Sequence, residues 1–490
     1  MRGDTGVMGN IADLLAAAAK QWPASLGVID TTAGTAFTWS QLDAAVNGQA
    51  RRLVEEGVGQ GDRVLLRLPT SADFAIALFA VARVGAIAVP VSPTAPAAEV
   101  TTVREHSGAR VVLSRDPDEG LLPVVDPADP LAPVGGGEDI VVLCYTSSTT
   151  GPARGVMLSH RALLANLEQL GGVPDTFRQL DRVFIAIPLF HVYGLGPGLL
   201  QCAAVGATAV LAERFDVVKA LEVCAEHRVT VIGGVPAMYA EFASRPAEEL
   251  GAGLASVRLL SSGAAPLHPK VLATIREKTG LGVFEGYGLT EAAPVVTSTL
   301  VTGYPKPGSV GRPLPGVELK LVGSDGLPVP HDPEDPFEED DLGTGLVAIR
   351  GANLFSGYWP DGAHGPGEDG WFRTGDVGYL DIDGDLHLVD RANDLIIVNG
   401  FNVFPHEIEQ VIVAMPEVAE VAVVGVIDER SGESVKAVVV PAAGASLSEQ
   451  QIVDHCAEQL AGYKVPRTVE FADSLPHTVT GKVRRVRLRS

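Results

Sequence analysis

The stretch LCYTSSTTGPARGVMLSH, residues 143–160, gathers side chains that could hold a polyphosphate. Thr146, Ser147, Ser148, Thr149 and Thr150 all carry hydroxyls, Gly151 follows them, and Arg154 adds a cation. Backbone N–H groups, hydroxyls and one positive charge on a glycine-bearing loop make a cradle for phosphate oxygens. The run is not the common P-loop, because G-x-x-x-x-G-K-[ST] is absent. On composition alone a polar surface turn is the open alternative.

The elements around the loop must position it. Strand-like DIVVLCY leads in, and a helix is expected from about His160 with Ser159 as its N-cap. From about residue 60 onward, apolar β-rich runs alternate with helical patterns: DRVLLRLP with ADFAIALFAVARVG, DRVFIAIP with GLGPGLLQCAAVG, VVKALEVCAEH with VTVIGGVP, and VRLLSSGAAP with PKVLATIREKTG. Such alternation predicts parallel α/β layers. Each glycine-rich turn falls where a strand ends, the edge at which open α/β sheets bind ligands.

After about residue 305 the character changes. GVELKLVGSDGLPV and GLVAIRG read as short strands, and the acidic HDPEDPFEEDD between them as an exposed loop. YLDIDGDLHLVD reads as a hairpin about Asp383 and Gly384. From about 395, LIIVNG, a helix opened by Pro405, VAEVAVVGVI, KAVVVP and a helix opened by a Ser446/Glu449 capping pattern suggest a small α+β domain. The expected fold class is therefore α/β. A large N-terminal domain, residues 1–389, holds layered α/β subdomains and a β-rich subdomain at about 305–389; a small, mobile α+β domain covers 395–490.

At 490 residues the chain is too long for one ordinary core. A net charge of −23 argues against a nucleic-acid partner, although the C-terminal GKVRRVRLRS is locally basic. Cysteines at 144, 202, 224 and 456 have neither metal-ligand spacing nor a disulfide pattern, which fits a reducing, cytoplasmic setting. No apolar run reaches membrane-spanning length, and the early alanine run between Asp13 and Lys20 reads as an amphipathic helix rather than a signal peptide.

YTSSTTGPARGVMLSH resembles the phosphate-binding signature of the adenylate-forming superfamily, which includes acyl-CoA synthetases, aryl-CoA ligases, peptide-synthetase adenylation domains and luciferases. GAAP at 263–266, EGYGLTE at 285–291, GWFRTGD at 370–376, DRANDLIIVNGFNVFPHEIE at 390–409 and PHTVTGK at 476–482 match further signatures in the expected order. The resemblance implies ATP, Mg2+ and coenzyme A, or a carrier protein's phosphopantetheine, as cofactors. A carboxylate would be joined to ATP as an acyl-adenylate, and the acyl group then passed to a thiol.

The resemblance also implies roles for residues. Thr146, Ser147, Ser148, Thr149, Thr150, Gly151 and Arg154 would hold the β- and γ-phosphates. Glu291 would hold Mg2+, and Thr290 would touch the α-phosphate. Gly263, Ala264, Ala265 and Pro266, with Glu285, Gly286, Tyr287 and Gly288, would wall the adenine. Asp376 would accept from the ribose hydroxyls, assisted by Arg391. Lys482 would bridge the substrate carboxylate and the α-phosphate. Residues 390–394 would be the hinge on which the small domain turns between half-reactions. Gly400 and Phe401 would then face the pantetheine thiol.

PLFHVYGLGPG and TVIGGVPAMYAEF resemble the family's acid-binding stretches, with His191 at the pocket mouth and Gly233 and Gly234 leaving room. Neither holds an acidic residue before Glu241, which disfavours an amino-acid substrate, whose ammonium would need a carboxylate partner. Ser148 stands where the family usually has glycine, Arg154 where it has lysine, and Asn393 where lysine or aspartate is common. Ile397 replaces a lysine of the plant aryl-CoA ligases.

The leading expectation is a carboxylic acid–CoA ligase for a fatty or other apolar acid. An aryl-acid ligase and an enzyme loading a carrier protein are the near alternatives. A half-active relative is motivated by Ser148 and Asn393 and opposed by intact Glu291, Asp376 and Lys482. A hydrolase or dinucleotide enzyme is disfavoured, because G-x-S-x-G and G-x-G-x-x-G are missing in the required settings. The expected partner is a small carboxylic acid, with an acyl carrier protein and a second copy of the chain left open.

Overall fold

The computed structural model describes residues 9–121, 123, 126–146, 154–323, 326–329, 343–391, 394–398, 401–428, 432–477 and 483–488. The chain divides into two compact units. Met1–Ser148, Pro152–Glu318 and Ile349–Phe372 form the first; the second is built mainly from Leu319–Ala348 and Arg373–Ser490.

The first unit contains two sheets. The larger runs in the order Arg312–Pro313, Val295–Ser298, Val283–Gly288, Leu259–Ser262, Val231–Gly234, Arg182–Ile185, Thr208–Leu211, Leu26–Asp30 and Thr35–Thr38. Its strands from Val283–Gly288 through Leu26–Asp30 are parallel, as the alternation of apolar runs and helices predicts. The smaller sheet runs Val111–Ser114, Arg63–Arg67, Ile87–Pro90, Ile140–Thr146 and Arg154–Ser159. Only its last pair is antiparallel.

Helix Ala72–Arg83 is apolar on every side and buried at every position except Asp73. A helix of that kind has no face for water and must lie inside a core. It shares one cluster with Val64 and Leu66 of the smaller sheet and Val183, Ile185 and Leu211 of the larger. Its one buried charge is paired at both terminal nitrogens: the Arg83 guanidinium donates to Asn47 and Asp43, both at 2.6 Å, while Nε has no partner among the described residues.

The strands between Val317 and Arg391 form a four-stranded sheet in the order Val317–Val322, Gly345–Gly351, Phe372–Leu380 and Leu386–Arg391. Its last two strands make the hairpin expected about Asp383 and Gly384. A separate five-stranded sheet orders Phe401–Val403, Ile396–Val398, Gly432–Pro441 and Val418–Asp428, with Thr468–Phe471 parallel to Gly432–Pro441. Helices Pro405–Val413 and Glu449–Gln459 cover it through Ile408, Ile412, Ile452 and Cys456.

Two local expectations change. The second of those helices is capped by Ser448, not Ser446: its hydroxyl accepts from Gln451 N, and the Gln451 side chain accepts from Ser448 N. The box is thus closed by Gln451, two residues beyond Glu449. GLGPGLL forms a π-helical turn, Gly194–Leu200, before the short helix Gln201–Val205. Crowding explains the glycine at its start, since a Cβ on Gly194 would stand 2.5 Å from the Pro188 carbonyl oxygen.

No helix among the described residues is long and apolar enough to cross a membrane. All four cysteines are unpaired and buried.

Candidate functional site

The hydroxyl-rich run lies in sequence between two strands that pair antiparallel. Strand Ile140–Thr146 leads in and Arg154–Ser159 leads out, with Thr146 opposite Arg154 at the end next to the hydroxyl run. Residues 147–153, and with them Ser147 to Gly151, lie outside the described residues. Ser159 caps the following helix, His160–Gly171, accepting from Ala162 N as expected.

The hairpin is braced from outside. Ser356 N donates to Met157 O, Met157 N to Gly357 O, and Trp359 N to Gly155 O, so residues 356–359 pair along the outgoing strand. The fit at Gly155 is tight: a Cβ there would meet Trp359 and the Tyr145 ring at 3.2 Å. On the other side, the Tyr145 hydroxyl and His106 Nδ1 share a 2.8 Å hydrogen bond, and Trp359 Nε1 donates to His106 O.

Arg154, exposed at the hairpin mouth, places its guanidinium 5.3 Å from the centre of the Tyr358 ring. The Tyr358 hydroxyl donates to Glu291 Oε1 at 2.7 Å. Glu291 belongs to a single 3-10 turn, Thr290–Ala292. That turn is held by Phe355 N donating to Glu291 O and by Asn353 Nδ2 donating to Ala292 O. Burial, followed by the Glu291 charge, pushes the Tyr358 phenol well above its usual range, while Arg154 pulls the other way. Burial and the same carboxylate raise the Cys144 thiol to about 12, so it stays protonated.

The residues expected around adenine also meet. Leu267 N, one residue after Gly263–Pro266, donates to Glu285 Oε2 at 3.1 Å. Glu285 Oε1 has no hydrogen-bond partner among the described residues, and burial raises this carboxyl to about 7 against the pull of the Leu267 N–H. Ala264 has φ 71°, the left-handed region that lets the loop fold over the strand end. Gly286 and Gly288 face the neighbouring strand, where Cβ atoms would stand 3.0 Å from Thr297 O and 2.2 Å from Pro294 O. Tyr287 is buried, opposite Thr297 in that antiparallel pair.

His191 is bonded within its own turn, Nδ1 accepting from Tyr193 N at 3.2 Å. The Tyr193 hydroxyl reaches Gly234 O at 3.4 Å, and a Cβ on Gly263 would stand 3.3 Å from its ring. The two apolar stretches and GAAP therefore converge on one phenol. Glu241 is exposed on helix Pro236–Ser244.

In the second unit, Asp376 stands on strand Phe372–Leu380 in register with Arg391. Its N–H is held by Thr374 Oγ1, whose own proton goes to Val347 O. The side chains of Arg391 and Phe401 lie outside the described residues, as do Asn393, Gly400, the acidic loop 332–341 and Lys482.

Residues 15–359 match the AMP-binding enzyme family, and residues 407–482 match the AMP-binding enzyme C-terminal domain. The chain belongs to the AMP-binding enzyme family. A long-chain-fatty-acid–CoA ligase of Mycobacterium tuberculosis, FadD13, is 33% identical over 98% of both chains. A feruloyl-CoA synthase of an Amycolatopsis species is 37% identical over 92% of this chain and 93% of that one. Among solved structures, ATP-bound MatB from Rhodopseudomonas palustris matches with a TM-score of 0.88 at 30% identity, covering 98% of each chain. The resemblance to adenylate-forming enzymes and the mixed α/β fold with a smaller C-terminal domain are borne out.

Sequence reasoning missed two features of this AMP-binding enzyme. The outgoing strand Arg154–Ser159 pairs antiparallel with the strand before the hydroxyl run, and Tyr358 joins Arg154 to Glu291. A signal for the second was present: FSGYWP sets two aromatic residues between a glycine and a proline, away from any apolar period.

Proposed function

We propose that this acid–CoA ligase activates an apolar carboxylic acid, a fatty acid first, and transfers it to coenzyme A. The substrate carboxylate attacks the α-phosphorus of ATP, pyrophosphate leaves, and an acyl-adenylate remains. The thiol of coenzyme A then attacks the acyl carbon, AMP leaves with the bonding electrons, and the thiol proton goes to solvent. The observation that carries this reading is the junction at Tyr358: a cation at the mouth of the hydroxyl hairpin and a carboxylate on the next turn share one phenol.

Bringing two anions together needs oriented cations and donors. Thr146 to Gly151 and Arg154 take the β- and γ-phosphates, and Thr290 the α-phosphate. Glu291 fits Mg2+, since a carboxylate oxygen steadied by a neutral O–H donor is a ligand for a hard cation that also keeps phosphate oxygens and water. Bound there, Mg2+ would neutralise charge on the phosphates. Gly263–Pro266 and Glu285–Gly288 enclose the adenine, Asp376 and Arg391 the ribose, and Lys482 meets the carboxylate. Residues 390–394 act as the hinge that presents Gly400 and Phe401 in the second step. The buried, reduced cysteines support a cytoplasmic setting.

The apolar choice rests on the two stretches that converge at Tyr193, neither of which holds an acidic residue before Glu241 to pair with an ammonium group. An aryl acid is the second reading, favoured by the 37% identity to a feruloyl-CoA synthase. Acyl-CoA formation from a panel of fatty, aryl and amino acids separates them. Turnover of fatty acids with free coenzyme A is expected. Turnover confined to aryl acids selects the second reading, and transfer only to a carrier protein's phosphopantetheine replaces the acceptor.

A further inference from the structure

Tyr358 is anchored from several directions. Its backbone pairs across Val156 of the outgoing strand, its N–H donates to Ala363 O, and its carbonyl accepts from Gly362 N. Its ring packs edge-on against Phe355, 5.1 Å between centres, and Phe355 itself holds the Glu291 carbonyl. A side chain so fixed presents one face to Arg154 and one oxygen to Glu291. Arginine at position 154 matters here. A guanidinium plane stacks on an aromatic face and keeps its N–H fork, whereas an ammonium is a hydrated point charge.

We propose that Tyr358 is a positioning residue that sets the spacing between Arg154 and Glu291, and so between the cation that meets phosphate and the carboxylate that meets the metal. This rests on the roles proposed above for those two residues. Without the phenol proton, Glu291 is free to swing, while the ring face under Arg154 is retained. The consequence is selective: metal-dependent nucleotide binding suffers and metal-free binding does not.

The test is equilibrium binding of ATP by titration calorimetry to the full chain, with Mg2+ and with chelator, for wild type, Tyr358→Phe, Arg154→Lys and Glu291→Gln. Losing a hydrogen bond to a charged group is expected to weaken MgATP binding about tenfold in Tyr358→Phe, with metal-free ATP within about twofold of wild type. Arg154→Lys is expected to weaken both forms alike. Phenylalanine keeps the packing against Phe355, and thermal melts check that the fold is intact. Equal loss of both forms in Tyr358→Phe, or loss of neither, overturns the proposal. If Glu291→Gln leaves MgATP binding unchanged, the metal role beneath it falls instead.

Discussion

Glu285 is a carboxyl whose environment can be read as stability. It is 5% exposed, one oxygen accepts from Leu267 N, and burial raises it from 4.5 to about 7. The folded state therefore binds this proton more tightly than the unfolded chain. Its stabilising contribution is full below pH 4.5 and is lost as the pH rises to about 7. Over that window the loss is of order 3 kcal/mol, from 1.36 kcal/mol per unit. Glu285→Gln keeps an acceptor for Leu267 N and removes the titration. Thermal melts at about pH 5 and about pH 8 are expected to show the variant losing less stability than wild type on going alkaline. Parallel curves for the two proteins would mean that the carboxyl is relieved by some other group.

Helix Ala12–Gln21 is tied to the hairpin layer through one imidazole. His160, the first residue of its own helix, accepts from Ile11 N at Nδ1, 3.0 Å. Burial lowers it from 6.5 to about 4, against the opposing pull of Asp139 and Asp13. The unfolded chain takes the proton first, so this tie stabilises above pH 6.5 and weakens as the pH falls to about 4. Hydrogen exchange should show the Ile11 amide and the helix losing protection in that window ahead of the parallel strands; unchanged protection would contradict it. Much of this layer was legible in the sequence. Apolar runs gave the parallel strands, and Ser159 and Pro405 opened helices where expected. The π-helical turn was not legible, because GLGPGLL has no helical period of its own and its shape follows from packing: Gly194 sits against Pro188 O and Gly198 near Ile185. The strand after the hydroxyl loop was hidden for a related reason. RGVMLS does not alternate, and its residues from Gly155 to Ser159 are all buried. Tyr358 escaped because its function depends on a contact with Glu291, 67 positions away.

For the whole molecule, the proposed chemistry draws on residues from distant parts of the chain. Thr146, Arg154 and Glu291 belong to the first unit, while Asp376 and Lys482 are numbered in the second. The sequence carried this division of labour through short signatures that keep their order, although the residues between them say little. Ordinary periodicity could not supply the roles, because a ribose carboxylate and a surface carboxylate look alike until the neighbouring residues are known. The proposed reaction predicts that the two half-reactions depend on different residues. The most direct measurement is carboxylate-dependent ATP–pyrophosphate exchange with Mg2+ and no coenzyme A, run on wild type and Lys482→Ala. Exchange should appear with an apolar acid in wild type and fall by about a hundredfold or more in Lys482→Ala, consistent with the loss of a charge that acts at the reacting centre. The same variant should still convert supplied acyl-adenylate and coenzyme A to thioester. No exchange with any acid, in folded wild-type protein that binds ATP, would contradict acid activation by adenylation.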